Sequence, residues 1–161
     1  MKKKKVLFIS STGGHLDELL QLKPMFEKYD YHIITEKTKS NMSLKDKYPG
    51  RVNYLVYGTY TTFTHKLIYP FKLLYNTLKS FVLYLKIRPK YIISTGSHTA
   101  GPICLIGHIL GSKIIYIETF ANSKTKSKAG SIIYKFADLF IVQWESMLEL
   151  YPNATYGGWI F

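Results

Sequence analysis

The run Val6-Leu7-Phe8-Ile9, followed by Ser10-Ser11-Thr12-Gly13-Gly14-His15 and then by Leu16-Asp17-Glu18-Leu19-Leu20-Gln21-Leu22, decides the fold. In order it reads as a strand, a tight glycine turn and a helix. The glycines let the backbone turn sharply and leave its N–H groups open, and the helix N-terminus adds partial positive charge. His15 enters the helix beside that turn, at the C-terminal edge of a sheet, where open α/β folds bind ligands. It is placed there to act as a base or a hydrogen-bond donor. A plainer role is also open, in which Ser11 or Thr12 caps the helix and the turn is only a connection.

Working outward, further strands are expected over 31–35, 52–56, 91–94, 113–117 and 139–142, after a first over 5–10. Helices are expected over 15–29, about 66–87, 100–110, 127–136 and 145–150, with a loop over 41–51 around Pro49-Gly50. Most of the strands are continuous apolar runs, as parallel strands covered on both faces require. Strands alternating with helices make an α/β doubly wound parallel sheet. No internal repeat, low-complexity segment or linker divides the chain, so residues 1–161 read as a single domain.

At 47% hydrophobic and 16% aromatic, the chain can bury one sizeable core and is unlike a disordered segment. Its net charge of +12 favours acidic partners. Cys104, the only cysteine, lies in the apolar run Ile103-Cys104-Leu105-Ile106. It reads as a buried inert thiol in a reducing compartment, since no intrachain disulfide is possible. No zinc spacing occurs, so neither a metal nor a cofactor is expected. Lys2 to Lys5 look like the charged region of a signal peptide, but the apolar run after them stops at Ser10. With no uninterrupted apolar segment of about 20 residues, a transmembrane helix is not expected.

The segment over about 60–90 departs from this pattern. No Asp or Glu falls between Asp46 and Glu118, whereas Lys66, Lys72, Lys79, Lys86, Arg88 and Lys90 all do. After Pro70, the residues Phe71, Leu74, Leu78, Phe81 and Leu85 follow three- and four-residue steps and form one apolar stripe. Lys72, Lys79 and Lys86 recur at a constant spacing on roughly the opposite face, and Tyr69, Tyr75 and Tyr84 add amphipathic rings. Such a basic amphipathic helix suits an anionic membrane surface, where each lysine is worth about 1 kcal/mol. A surface helix packing its stripe onto the sheet would carry the same pattern. Nucleic acid competes for the charge, but no recognition motif is present and the aromatics sit at core spacing, so it is not expected as a partner.

A second turn, Ser94-Thr95-Gly96-Ser97-His98-Thr99-Ala100-Gly101-Pro102, repeats the chemistry of the first. Gly96 admits a positive φ, Ser97 or Thr99 can cap the following helix, and His98 shares a sheet edge with His15. A third candidate is Glu118, which ends the apolar strand Ile114-Ile115-Tyr116-Ile117 at that same edge, where a carboxylate can orient a hydroxyl or an imidazole. Asn122 follows it and opens a basic loop running to Lys128. The chain closes on Tyr156-Gly157-Gly158-Trp159-Ile160-Phe161, whose apolar end suggests docking, with a partner interface favoured over the chain's own surface.

Taken with Ile117-Glu118-Thr119-Phe120-Ala121-Asn122 and the closing runs 137–145 and 156–161, the two turns resemble a known family. The chain is similar, over nearly its whole length, to the bacterial capsule and exopolysaccharide proteins that enhance a partner glycosyltransferase. These are related to the membrane-anchoring subunit of the eukaryotic two-chain UDP-N-acetylglucosamine transferase of dolichol-linked oligosaccharide synthesis. More distantly, the chain looks like the N-terminal half of the peptidoglycan enzyme that adds N-acetylglucosamine to lipid I. The resemblance implies a Rossmann-like sheet equivalent to the N-terminal half of a GT-B glycosyltransferase. It implies a chain that handles a lipid-linked acceptor at an anionic membrane, while a catalytic partner chain binds the UDP-sugar. Carried over, Gly13, Gly14, Gly96, Ser97, His98 and Asn122 would meet the acceptor. His15 would act as base, with Glu118 orienting a group in the same cleft. Lys66, Phe71, Lys72, Lys79, Phe81 and Lys86 would meet the membrane, and Tyr156, Trp159, Ile160 and Phe161 the partner. The eukaryotic relative has an N-terminal membrane anchor and this sequence has none, so the expectation is a peripheral protein on the cytoplasmic face of a bacterial plasma membrane.

Two other classes remain open. A pure scaffold would recruit and activate the partner without contributing to the cleft. A stand-alone nucleotide-binding protein is disfavoured because the first turn lacks the full G-x-G-x-x-G spacing and only Glu36 is acidic at the end of the second strand.

Overall fold

In a computed structural model of the chain, residues 3–58 and 63–161 are described, the side chains of 63–66 excepted. The strands are β1 (Lys5–Ser10), β2 (Asp30–Glu36), β3 (Val52–Leu55), β4 (Tyr91–Gly96), β5 (Lys113–Ile117), β6 (Leu139–Val142) and β7 (Thr155–Tyr156). They form one sheet in the order β3-β2-β1-β4-β5-β6-β7, with every neighbouring pair parallel. The helices are α1 (Gly14–Gln21), α2 (Leu44–Lys47), α3 (Phe63–Ile87), α4 (Gly101–Ile109), α5 (Lys128–Ile133) and α6 (Met147–Leu150).

Strand alternation builds two cores from one run of sequence. Val6 and Phe8 of β1 face a cluster with Leu16 and Leu19 of α1 and Leu44 of α2. Leu7 and Ile9 point the other way, into a cluster with Leu83, Tyr84 and Ile87 of α3 and Ile103 of α4. Both faces of β1 are therefore dry, which is why its central residues are all apolar.

The differences from the expected elements have local causes. The first helix is shorter than 15–29, ending at Gln21 and followed by a 3-10 turn at Lys23–Met25 that contains Pro24. The expected loop over 41–51 contains α2, a single helical turn. β7 has no apolar run to announce it, since both of its residues are exposed.

The largest difference concerns α3. Its core face is made by Leu83, Tyr84 and Ile87 together with Asn76 and Ser80, all buried. The stripe Phe71, Leu74, Leu78, Phe81 and Leu85 faces outward instead, with Phe71 73% and Leu78 59% exposed. The sheet-packing alternative for this stripe is thus overturned. Asn76 takes a core position because its side chain is tied to the backbone: Oδ1 accepts from Val56 N (2.9 Å) and Nδ2 donates to Val56 O (2.8 Å). At about 100° per residue, Lys72, Lys79 and Lys86 fall on the flank between the exposed stripe and the packed face. They are not opposite the stripe, as the sequence suggested. The side chain of Lys66 lies outside the described residues. Among the described residues no helix is long and apolar enough to cross a membrane.

Candidate functional site

The two glycine turns meet where the sheet order reverses, between β1 and β4, which is where doubly wound sheets open a crevice. Ser11 N donates to Gly96 O (3.0 Å), and Ser97 Oγ donates to Ser11 Oγ (3.2 Å). Neither turn serves as a side-chain cap. The residue before α1 is Gly13, at φ 75°, and no side chain bonds the first amides of α1 or α4. The amides of Gly14 and His15 precede the first intrahelical bond, which Leu16 N makes to Gly13 O (2.8 Å).

A cleft of about 330 Å³ opens at this point, lined among others by His15, Ser97, His98, Thr119, Asn122 and Lys128. Of the expected residues, His15, Ser97, His98 and Asn122 converge on it. Gly13, Gly14 and Gly96 do not line it; Gly13 and Gly14, just before His15, are exposed, and an added Cβ at either would meet nothing within 4 Å. Gly96 stands at φ 109°, and a Cβ on it would come within 2.8 Å of His15 Nδ1.

His15 is the best-defined group in the cleft. Its Nδ1 lies 2.8 Å from Thr95 O, and Thr95 Oγ1 donates to His15 O (2.7 Å). A carbonyl only accepts, so Nδ1 carries the hydrogen, and neutral His15 keeps its lone pair on Nε2. The Glu18 carboxylate, with Oε2 3.7 Å from Nδ1, raises the imidazole above its ordinary 6.5 against the opposing effect of burial.

Glu118 does not line the cleft. It is 1% exposed, with Oε1 accepting from Thr119 N (3.2 Å) and Oε2 accepting from Ser127 Oγ (2.9 Å) and the Tyr151 hydroxyl (3.1 Å). Burial raises its pKa, and these hydrogen bonds work the other way. Glu118 thus fixes Ser127, whose Oγ accepts from Gly130 N (2.9 Å) and caps α5, and so it shapes one wall from behind.

Glu36, set aside in the sequence, plays a similar part. It is 1% exposed, and its Oε1 accepts from Thr99 Oγ1 (2.7 Å) and Gly58 N (3.2 Å) and stands 3.7 Å from His98 Nε2. Lys128 and Glu18 were also missed. Glu18 had a readable signal, since a residue three places after His15 shares its helix face. Among the described residues no group of three or more His, Cys, Asp or Glu side chains could hold a metal.

The closing segment docks in part on its own chain, through two of the residues expected at a partner interface, the half-buried Ile160 and Phe161. Both pack against the core on the α1 face, and Ile160 N donates to Gln143 Oε1 (3.1 Å). The buried Gln143 thus anchors the segment by its backbone, and its apolar end is covered only in part. Trp159 stays 78% exposed, its ring stacked on Phe120 at 5.2 Å between centroids, and Phe120 also meets Trp144 at 4.7 Å. Tyr156 is 48% exposed.

Solved structures share this architecture. MurG of Acinetobacter baumannii superposes with a TM-score of 0.71 at 18% identity, over 89% of this chain and 42% of that one. The UDP-N-acetylglucosamine 2-epimerase of Methanocaldococcus jannaschii gives 0.67 at 13% identity, over 92% of this chain and 42% of that one. The chain spans less than half the length of either, and the fold is a Rossmann-like unit of the GT-B type. Sequence comparison is more specific. The family described as Oligosaccharide biosynthesis protein Alg14 like matches residues 62–160. The UDP-N-acetylglucosamine transferase subunit ALG14 of Mus musculus is 28% identical over 177 residues, covering 96% of this chain and 82% of that protein. The subunit of the same name from Schizosaccharomyces pombe is 40% identical over 75 residues, covering 44% of this chain. The chain belongs to the Alg14-like family.

Proposed function

We propose that this chain is the acceptor-side subunit of a two-chain, UDP-sugar-dependent glycosyltransferase of capsule or exopolysaccharide synthesis. As one domain over 1–161, it corresponds to the N-terminal half of a GT-B enzyme. It recruits and activates a catalytic chain that supplies the C-terminal half and the UDP-sugar, and it binds a lipid-linked acceptor at the cytoplasmic face of a bacterial plasma membrane. The relatives named as transferase subunits and the length match to less than half of MurG support this reading. The observation that carries it is the cleft at the sheet reversal, where His15 presents Nε2 among Ser97, His98 and Asn122 with Lys128 at hand for an anionic group.

The chemistry is a single inverting displacement. His15 Nε2 takes the proton of the acceptor hydroxyl, whose oxygen bonds to the anomeric carbon as the carbon–oxygen bond to the UDP diphosphate breaks. The partner chain holds the departing diphosphate. Exposed backbone at Gly13 and Gly14 and the Lys128 ammonium suit the acceptor's own pyrophosphate, and Gly96, whose amide is held by Ser94 Oγ (3.1 Å), meets the acceptor from the floor of the turn. Tyr156 and Trp159 face the partner. Phe71 and Phe81 enter the membrane, with Lys72, Lys79 and Lys86 along the headgroup layer.

The test is transfer from a UDP-sugar to membrane acceptor, with the chain co-expressed beside one supplying the C-terminal half. His15→Ala is expected to lower transfer on the order of a hundredfold while the two chains still co-purify. Trp159→Ala is expected to weaken co-purification without lowering the chain's own melting temperature, since that ring is 78% exposed. If His15→Ala stimulates fully and only Trp159→Ala fails, the chain is a scaffold.

A further inference from the structure

Glu18 lies one turn along α1 from His15 and touches both sides of the cleft at once. Its Oε1 accepts from Thr119 Oγ1 (2.7 Å) and from Phe120 N (3.0 Å). Its Oε2 is buried without a hydrogen bond, and His15 Nδ1 faces it at 3.7 Å. Phe120 carries the ring that stacks on Trp159 and meets Trp144 at a tilt. The carboxylate therefore ties the imidazole to the loop that bears Thr119 and Asn122, and through Phe120 to the exposed aromatic stack.

We propose that Glu18 is a positioning residue that fixes the distance between His15 and the Thr119–Phe120 turn and stabilises the imidazolium formed when His15 has taken a proton. The functional half of this statement rests on the reading of His15 as the base that meets the acceptor. The physical half does not. A buried carboxylate oxygen without a partner is costly unless a charge faces it, and protonated His15 supplies that charge. Glu118, behind the end of β5, adds a weaker attraction from the other side, while Tyr116, His98 and Lys128 line the same cleft. Burial works to raise the Glu18 carboxyl, and the contacts from His15, Thr119 and the Phe120 amide outweigh it and leave it below its ordinary 4.5.

Two variants separate the roles. Glu18→Gln keeps an amide oxygen for Thr119 and Phe120 but removes the charge and turns an N–H₂ toward Nδ1–H. Glu18→Ala removes everything. In the isolated full chain, NMR titration is expected to place the His15 midpoint lower in both variants than in the wild type. Exchange of the Phe120 amide is expected to accelerate about tenfold in Glu18→Ala and to stay near wild type in Glu18→Gln. The stability that wild type holds over Glu18→Gln is expected to be fully present between 4.5 and 6.5. It fades below that window as Glu18 protonates and above it as His15 passes its raised midpoint. In the two-chain transfer assay, the ascending limb of the pH profile moves to lower pH in Glu18→Gln, with kcat reduced and KM for the UDP-sugar unchanged. An unmoved His15 midpoint in Glu18→Gln overturns the proposal even if Glu18→Ala fails to fold. Absence of transfer by the wild type overturns the functional reading alone, because the titration and the exchange still decide the role of Glu18.

Discussion

Gly130→Ala is expected to destabilise the chain by about 3–4 kcal/mol and to lower its melting temperature by about 10 °C. A Cβ at this position would stand 2.2 Å from Glu118 Oε2, 2.6 Å from Ser127 Oγ and 2.9 Å from the Tyr151 hydroxyl. Ser127 Oγ and the Tyr151 hydroxyl both donate to Glu118 Oε2, so no single rotation clears the methyl group without breaking a bond. Either the Ser127–Glu118 bond breaks, leaving a buried carboxylate oxygen short of a donor, or α5 moves away from β5. Overpacking of a tight site costs about 1–3 kcal/mol and a lost bond to a buried carboxylate a similar amount. The helix preference for alanine over glycine returns only about 1 kcal/mol. Gly101→Ala is the matching control. Its Cβ would meet nothing within 4 Å, so that variant should melt at or slightly above the wild-type temperature. Thermal denaturation followed by circular dichroism measures both. An unchanged melting temperature in Gly130→Ala would mean that Glu118 is not the clamp described here.

The Gly130 site also marks what sequence reading reaches and what it misses. β1, β5 and β6 match their expected limits because each is a continuous apolar run bounded by polar residues, and a strand buried on both faces needs nothing else. The meeting of His15, Ser97 and His98 was legible too, since parallel strands bring every C-terminal turn to one edge. Contacts across long sequence separations were not. Ser127 and Tyr151 both close on Glu118 Oε2, and no local pattern says that a strand-end carboxylate will be enclosed. Glu36 was enclosed in the same way by Thr99, which lies far along the chain. The direction of the α3 stripe was hidden for a different reason. Its helix is apolar on two faces, and periodicity alone does not tell which of them meets the sheet. Asn76 and Ser80 settle that question, and polar residues at core positions carry no hydrophobic signal.

That outward stripe leads to the second large effect. Phe71, Leu74 and Leu78 are 73%, 58% and 59% exposed, so converting all three to serine should leave the melting temperature near the wild-type value. Binding to vesicles of equal parts phosphatidylglycerol and phosphatidylcholine is expected to fall on the order of a thousandfold. Full burial of each side chain is worth about 1.5–3 kcal/mol, and a helix lying in the interface realises part of that, so the three together supply about 4 kcal/mol. The lysine flank contributes less. Lys72, Lys79 and Lys86 each add about 1 kcal/mol near an anionic surface, and that share is screened within about 3 Å at 1 M salt. The two contributions separate in one sedimentation experiment. At 1 M salt the wild type should lose only the lysine share and stay partly bound, whereas the triple serine variant should stay in the supernatant. A lysine-to-alanine triple variant should do the reverse, binding weakly at low salt with little further loss at high salt. If the serine variant sediments with vesicles as well as the wild type does, the outward face of α3 is not the membrane contact. Leu105 and Ile109 of the adjacent α4, 48% and 70% exposed, then become the surface to substitute.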